Sequence, residues 1–174
     1  MKKNMLLVVD YQNDFVNGSL GFDGAEKLDE LIVEKILEYG EGNVLYAQDT
    51  HDANYLETRE GKNLPVEHCI KNTKGWQIYG DTKKALEKVD AKGFEKTTFG
   101  IDPKDLEEYK GIDTLEIAGL VTNMCVISNV CVFQAISPET QIVVDAKLCD
   151  SFDRELHEKA LDVLEGLQVK VINR

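Results

Sequence analysis

Met5-Leu6-Leu7-Val8-Val9-Asp10 is an unbroken apolar run that ends on a carboxylate. A half-buried strand alternates apolar and polar side chains, so a run with no alternation reads as a strand buried on both faces. That is the pattern of a parallel sheet covered by helices. Outward from it, Ala25–Tyr39 reads as a helix with Leu28, Leu31, Ile32, Ile36 and Leu37 on one stripe, stopped by Gly40. Val44–Ala47 is a second short strand, leading into Gln48-Asp49. Thr82–Val89 suggests a helix, Phe94–Thr97 a strand and Asp105–Tyr109 a helix with Pro103 near its start. Leu115–Ala118, Gln141–Val144 and Val169–Ile172 complete the strands, with helices over Met124–Ala135 and Arg154–Leu164 between them. This alternation predicts an α/β fold: a single three-layer α/β/α domain over residues 1–174, with a mainly parallel, Rossmann-like sheet of about six strands. Thr50 to Gly80 is polar and aperiodic, and thirty such residues in a compact domain read as a functional loop.

The 174 residues carry 20 Lys and Arg against 32 Asp and Glu, a formal charge of −12. A surface this acidic repels nucleic acid and anionic membranes, which excludes both as main partners. No apolar run approaches the ~18 residues a membrane span requires. The apolar stretch after Met1-Lys2-Lys3-Asn4 is too short for a signal-peptide core, so the expected location is the cytoplasm. Four cysteines at 69, 125, 131 and 149 include no CxxC pair, and in a reducing compartment they are expected to stay free. Gly18, Gly21 and Gly24 do not form GxGxxG and Gly61-Lys62 is no P-loop, so no nucleotide cofactor is expected.

Ligands of such sheets bind beyond the carboxyl ends of the strands. There the sequence sets Asp10, then Asp49 and His51, then Lys96, then the turn Gly119–Cys125. Cys125 stands at the start of a helix, where the dipole favours a thiolate and free backbone N–H groups suit an oxyanion. Lys96 at the end of a buried strand needs a partner, and Asp10 is the natural one. Together they suggest a nucleophile, a cation and a proton-shuttling carboxylate, although each alone is compatible with packing or a structural ion pair. Asp49-x-His51 places two ligand types on one side of a strand end, with His68 as a third across the loop; a plain His–Asp pair is the competing reading. His157, on a late helix, is expected at the surface. Cys131 sits roughly 240° around its helix from Cys125, Cys149 near a strand end is placed at the pocket mouth, and Cys69 follows a ligand candidate; packing is the expected role of all three.

Asp10-Tyr-Gln-Asn-Asp14-Phe15, Asp49-Thr-His51, His68-Cys69, Lys96-x-x-Phe99 and Gly119-Leu-Val-Thr-Asn-Met-Cys125-Val126 fall in the order and spacing of the isochorismatase-like cysteine hydrolases. The resemblance spans Leu6 to about Asp150, and the set Asp49, His51 and His68 resembles the nicotinamidase branch. It implies Cys125 as the nucleophile on an amide carbonyl, Asp10 as the base and later the acid, and Lys96 stabilising the thiolate. It implies a non-proline cis bond at Val121–Thr122 and an oxyanion hole from the Cys125 amide and one near Thr122. It further implies one divalent metal ion (zinc, iron or manganese) on Asp49, His51 and His68 that binds the pyridine nitrogen of nicotinamide, with Glu60 as fourth ligand and Glu57 competing. Pro65 stands where relatives often carry a ring-stacking aromatic, which leaves Phe15, Tyr55 or Trp76 to line the substrate pocket. Asn129 stands where a threonine is usual. Relatives form dimers or tetramers, so a homo-oligomer acting on a small amide, in NAD salvage and pyridine nucleotide biosynthesis, is the implied whole.

Three other readings stay open. Another member of the superfamily would act on a different small amide or an ether, generally without the metal ligands. A signalling receiver domain also gathers carboxylates and a lysine at strand ends, but it is shorter and needs no cysteine at the turn. A degenerate member serving as a binding module would have no use for Asp10, Lys96 and Cys125.

Overall fold

The computed structural model describes residues 3–174. Six strands, β1 (Asn4–Val9), β2 (Val44–Asp49), β3 (Lys92–Lys96), β4 (Thr114–Leu120), β5 (Gln141–Asp150) and β6 (Lys170–Ile172), form one sheet. Their order is β3-β2-β1-β4-β5-β6, and every pairing is parallel. The chain therefore winds outward from β1 in both directions, and the crevice between the ends of β1 and β4 is the switch point of a doubly wound sheet.

The apolar run of β1 divides between two cores. Leu6 and Val8 pack with Leu28, Ile32 and Ile36 of α2 (Leu28–Tyr39) and with Ala85 and Leu86 of α4 (Gly80–Lys88). Met5, Leu7 and Val9 pack on the other side with Val130 and Phe133 of α5 (Ile127–Ile136) and Leu161 and Leu164 of α6 (Arg154–Gly166). The buried stripe of α2 is Leu28, Ile32 and Ile36 alone. Leu31 and Leu37, expected on it, stand 41% and 44% exposed, because each lies about 100° around the helix from its buried neighbour. The start of that predicted helix, Ala25–Lys27, is a 3₁₀ turn, as is Pro103–Tyr109. Asp153 caps α6, its Oδ1 accepting from the N–H of Glu155 and Leu156 at 2.9 and 3.1 Å.

The irregular loop after β2 is fastened at both ends. His51 bridges Ile70 in parallel fashion and Gln12, just before α1 (Asn13–Val16), bridges Ile78. Between them lie a 3₁₀ turn at Tyr55–Glu57 and α3 (Arg59–Asn63), whose Gly61 N–H is capped by Thr58 Oγ1 at 3.0 Å.

Candidate active site

Strand register does most of the assembly. Val9 lies abreast of Ala47 and Gly119, and Asp49 abreast of Lys96. The ends of β1, β2, β3 and β4 thus meet over one patch. Gly119 is required there: its φ is +117°, and a methyl on it would collide with the Val9 carbonyl oxygen. Asp10, the first residue past β1, holds a left-handed backbone with φ 48°.

Lys96, with 1% of its side chain exposed, is the hub. Its Nζ lies 2.7 Å from Asp10 Oδ2, 3.2 Å from Asp49 Oδ1, 3.0 Å from the Thr98 carbonyl and 3.7 Å from Cys125 Sγ. Burial raises the Asp10 pKa to about 6, held from going higher by Lys96. Apart from that ion contact neither Asp10 oxygen carries an aligned hydrogen bond, and the Cys125 thiol is the proton donor within reach. Burial pushes the Cys125 thiol well up, against the pull of Lys96. The helix start and the lysine favour a thiolate, and desolvation of the buried sulfur opposes it.

Cys125 lies in a widened turn, Thr122–Val126, in which the Ile127 N–H reaches back five residues to the Thr122 carbonyl. The helix expected from Met124 therefore begins only at Ile127. The cis peptide is Leu120–Val121, one bond earlier than Val121–Thr122. Strand β4 runs on to Leu120, which pairs with Asp150. Asn129 is buried in the threonine's place. Its Nδ2 donates to the carbonyls of Cys125 and Phe99 at 2.8 and 3.2 Å, and its Oδ1 accepts from the Ile101 N–H at 3.0 Å.

Beside this triad one ligand atom from each of Asp49, His51 and His68 lies within 4.8 Å of the others, and all three residues are buried. Both imidazole Nε2 atoms face Asp49 Oδ2, at 3.0 Å for His51 and 3.5 Å for His68. His68 Nδ1 is 2.8 Å from the Val66 carbonyl, which can only accept, so Nδ1 carries the proton and Nε2 presents its lone pair. His51 Nε2 is buried with no hydrogen bond. Despite its burial, Lys96 and the two imidazoles hold the Asp49 carboxyl far below the usual carboxylate range. Two imidazoles and an ionised carboxylate converging on one point fit a divalent metal ion. Glu60 Oε1 lies 3.8 Å from both Nε2 atoms, whereas Glu57 is exposed on the preceding turn.

The residues that hold these groups had no assigned task in the sequence. Gln12 brackets Asp49, its Nε2 donating to the Asp49 carbonyl and its Oε1 accepting from the Asp49 N–H, both at 2.8 Å. Asp14 Oδ2 accepts from the Cys69 N–H at 2.7 Å, fixing the chain next to His68. Both sit in the Asp10–Phe15 motif, which was the available signal. A cavity of about 260 Å³ opens over His51 and Glu60, walled by Tyr55, Thr97 and Phe99. Tyr55 is fully buried, its ring 4.7 Å from that of His51 and 4.9 Å from that of His68, and its hydroxyl donates to the Leu64 carbonyl. The Phe15 ring lies 5.5 Å from that of His68. Trp76 does not join them: its indole N–H donates to Thr50 Oγ1 at 2.9 Å, and it lines a separate cavity with Tyr46 and Leu86. Cys149 is likewise no part of the mouth, since its thiol is in the core against the Ile117 carbonyl. His157 is 1% exposed, not at the surface, because it shares the buried face of α6 with Ala160, Leu161 and Leu164.

The fold has known counterparts. The nicotinamidase/pyrazinamidase of Bacillus subtilis superposes with a TM-score of 0.84 and is 30% identical, over 98% of this chain and 99% of that one. The pyrazinamidase/nicotinamidase of Streptococcus mutans UA159 gives 0.82 at 24% identity, over 97% and 99%. The pyrazinamidase of Pyrococcus horikoshii, solved in complex with zinc, gives 0.81 at 22%, over 99% of both chains. A sequence search of curated proteins returned no match. The family model for the isochorismatase domain matches residues 4–174, and the chain belongs to the isochorismatase family.

Proposed function

We propose that the protein is a cysteine amidohydrolase that converts nicotinamide and water to nicotinic acid and ammonia. The observation that carries this reading is the single buried ammonium of Lys96 shared by Asp10, Asp49 and Cys125, which joins a nucleophile and its base directly to a metal-ligand cluster. Likeness to the Bacillus subtilis enzyme supports the choice of substrate.

In this reading the Asp10 carboxylate takes the Cys125 thiol proton as sulfur bonds to the amide carbon, so charge never has to rest on the buried sulfur. A carboxyl with its pKa at about 6 is ionised at neutral pH and still a competent acid once protonated. The negative charge on the former carbonyl oxygen is received by the backbone N–H of Cys125 and one near Thr122. Protonated Asp10 then gives its proton to the amide nitrogen, the C–N bond breaks, and ammonia leaves a thioester on Cys125. Asp10 next takes a proton from water as its oxygen attacks the thioester; the C–S bond then breaks, nicotinic acid departs, and Asp10 returns the proton to sulfur to restore the thiol. Lys96 keeps Asp10 oriented throughout. Asp49, His51 and His68, with Glu60 within reach, would hold a divalent ion, whose Lewis acidity would bind the pyridine nitrogen and orient the ring. Tyr55 and Phe15 pack on the imidazoles and thereby stiffen that cluster.

The test is ammonia release from nicotinamide by metal-replete protein, with Cys125→Ala as blank. Release that disappears in the variant supports the assignment. No release despite bound metal removes nicotinamide and leaves other small amides; no release and no metal favours a metal-free branch of the family.

A further inference from the structure

Thr122 opens the turn that carries Cys125, and a segment distant in sequence grips it. Thr122 Oγ1 lies 3.1 Å from the Asp150 carbonyl oxygen and 2.8 Å from His157 Nδ1. One residue on, Asn123 Oδ1 accepts from the Ser151 hydroxyl at 2.6 Å. A threonine hydroxyl has one proton to donate, and a carbonyl oxygen can only accept. Both Thr122 contacts are satisfied in one way: the hydroxyl donates to Asp150, and His157 donates its Nδ1 proton to the hydroxyl. In the neutral form of that tautomer Nε2 is bare, and it is the atom left buried without a partner. Burial and the nearby Arg154 guanidinium favour that neutral form by lowering the His157 pKa.

We propose that His157 is a positioning residue for catalysis: its Nδ1–H fixes the Thr122 hydroxyl, and so sets the backbone amides of the Cys125 turn on the oxyanion. This rests on the amidohydrolase reading for the identity of the step it serves. The imidazole acts through the Thr122 hydroxyl it binds. Its contribution is to the transition state, in which the oxyanion exists, and not to substrate binding, so it governs kcat and leaves KM alone. Displacing oxyanion donors by a fraction of an ångström is enough to lower a rate by one to two orders of magnitude.

Four variants decide the matter, each read with two probes: ammonia release from nicotinamide and p-nitrophenolate release from p-nitrophenyl acetate, both against Cys125→Ala. Each probe passes through an oxyanion on the carbon bonded to Cys125, so the ester reports on the turn whichever amide is the natural substrate. His157→Leu is expected to lower kcat roughly 10- to 100-fold with KM changed less than about twofold. His157→Asn, whose Nδ2 stands where the imidazole Nδ1 does, is expected to recover to within about threefold of wild type. Thr122→Val is expected to match His157→Leu, and the double variant to be no worse than either single one. A His157→Leu rate within threefold of wild type overturns the proposal, as does an Asn variant as poor as Leu. Should His157→Leu fail to fold, Thr122→Val decides alone, and a wild-type rate there overturns it. Ester cleavage without ammonia release removes nicotinamide and leaves the proposal standing; wild-type protein inert to both probes overturns the two together.

Discussion

Replacing Lys96 with methionine keeps the volume of the side chain and removes the one charge that Asp10 and Asp49 share. At 2.7 and 3.2 Å the two ion contacts are each worth roughly 5–6 kcal/mol of gross attraction, taking an effective dielectric constant of about 20. Most of that attraction offsets the desolvation of three buried ions. Breaking such a group by removing one partner still costs about 3–5 kcal/mol, because the carboxylates remain buried without a counterion. Urea unfolding at pH 7 in the presence of chelator is the assay, so that the metal donors are in one state in both proteins. With a slope near 2 kcal/mol per molar, the midpoint is expected to fall by roughly 2 M. The loss also has a pH signature. The Asp10 pKa is already raised, to about 6, and without the lysine it rises further while the unfolded value does not move. Between those two values the native state holds a proton that the unfolded chain has released, so stability falls as pH increases. The Lys96→Met deficit is therefore larger at pH 8 than at pH 5, and adding Asp10→Asn returns part of it. A midpoint shift under about 0.5 M, or a double variant that falls by the sum of the singles, refutes the shared-ion account.

In the proposed reaction the same carboxyl sets turnover: kcat/KM is expected to rise about tenfold per pH unit below pH 6 and flatten above it, as Asp10 becomes the base. A profile flat from pH 5 to 7 removes Asp10 from that role, and Asp10→Asn should lose about 10²–10⁴ in rate at pH 7. Chelation of metal-loaded protein is expected to lower the melting temperature, by an amount corresponding to about 2.7 kcal/mol when the free ion had stood at a hundred times its Kd. His51→Ala should abolish that difference, read by calorimetry alongside metal content. Gly119→Ala, which forces a methyl onto the Val9 carbonyl at a φ of +117°, is expected to cost at least about 2 kcal/mol in the same unfolding assay. Asn129→Ala removes three hydrogen bonds, two of them buried, and should cost about 2–3 kcal/mol.

Local signals carried the sequence reading far. The unbroken run Met5–Val9 announces a strand with helices on both sides, and the positions of Asp10, Asp49, Lys96 and Cys125 at element ends are enough to bring them to one crevice. Gln12 and Asp14 were visible in the motif but not in their tasks, because a side chain that brackets the backbone of Asp49 or Cys69 acts across 37 or 55 residues. His157 is different: its spacing to Ala160, Leu161 and Leu164 is that of a buried helical face, and helical periodicity would have placed it inside. Only the meeting with Thr122, 35 residues away, needed the tertiary structure. The strength of burial at Cys125 lay beyond any local rule. A helix start and a lysine both argue for thiolate, and burial opposes them to a degree that depends on every element packed around the sulfur. Burial raises the cost of a free thiolate, so in the proposed reaction the nucleophile needs a proton acceptor already in place. The position of Asp10 at the end of the neighbouring strand, left without an aligned hydrogen bond, is what that requirement demands of the fold.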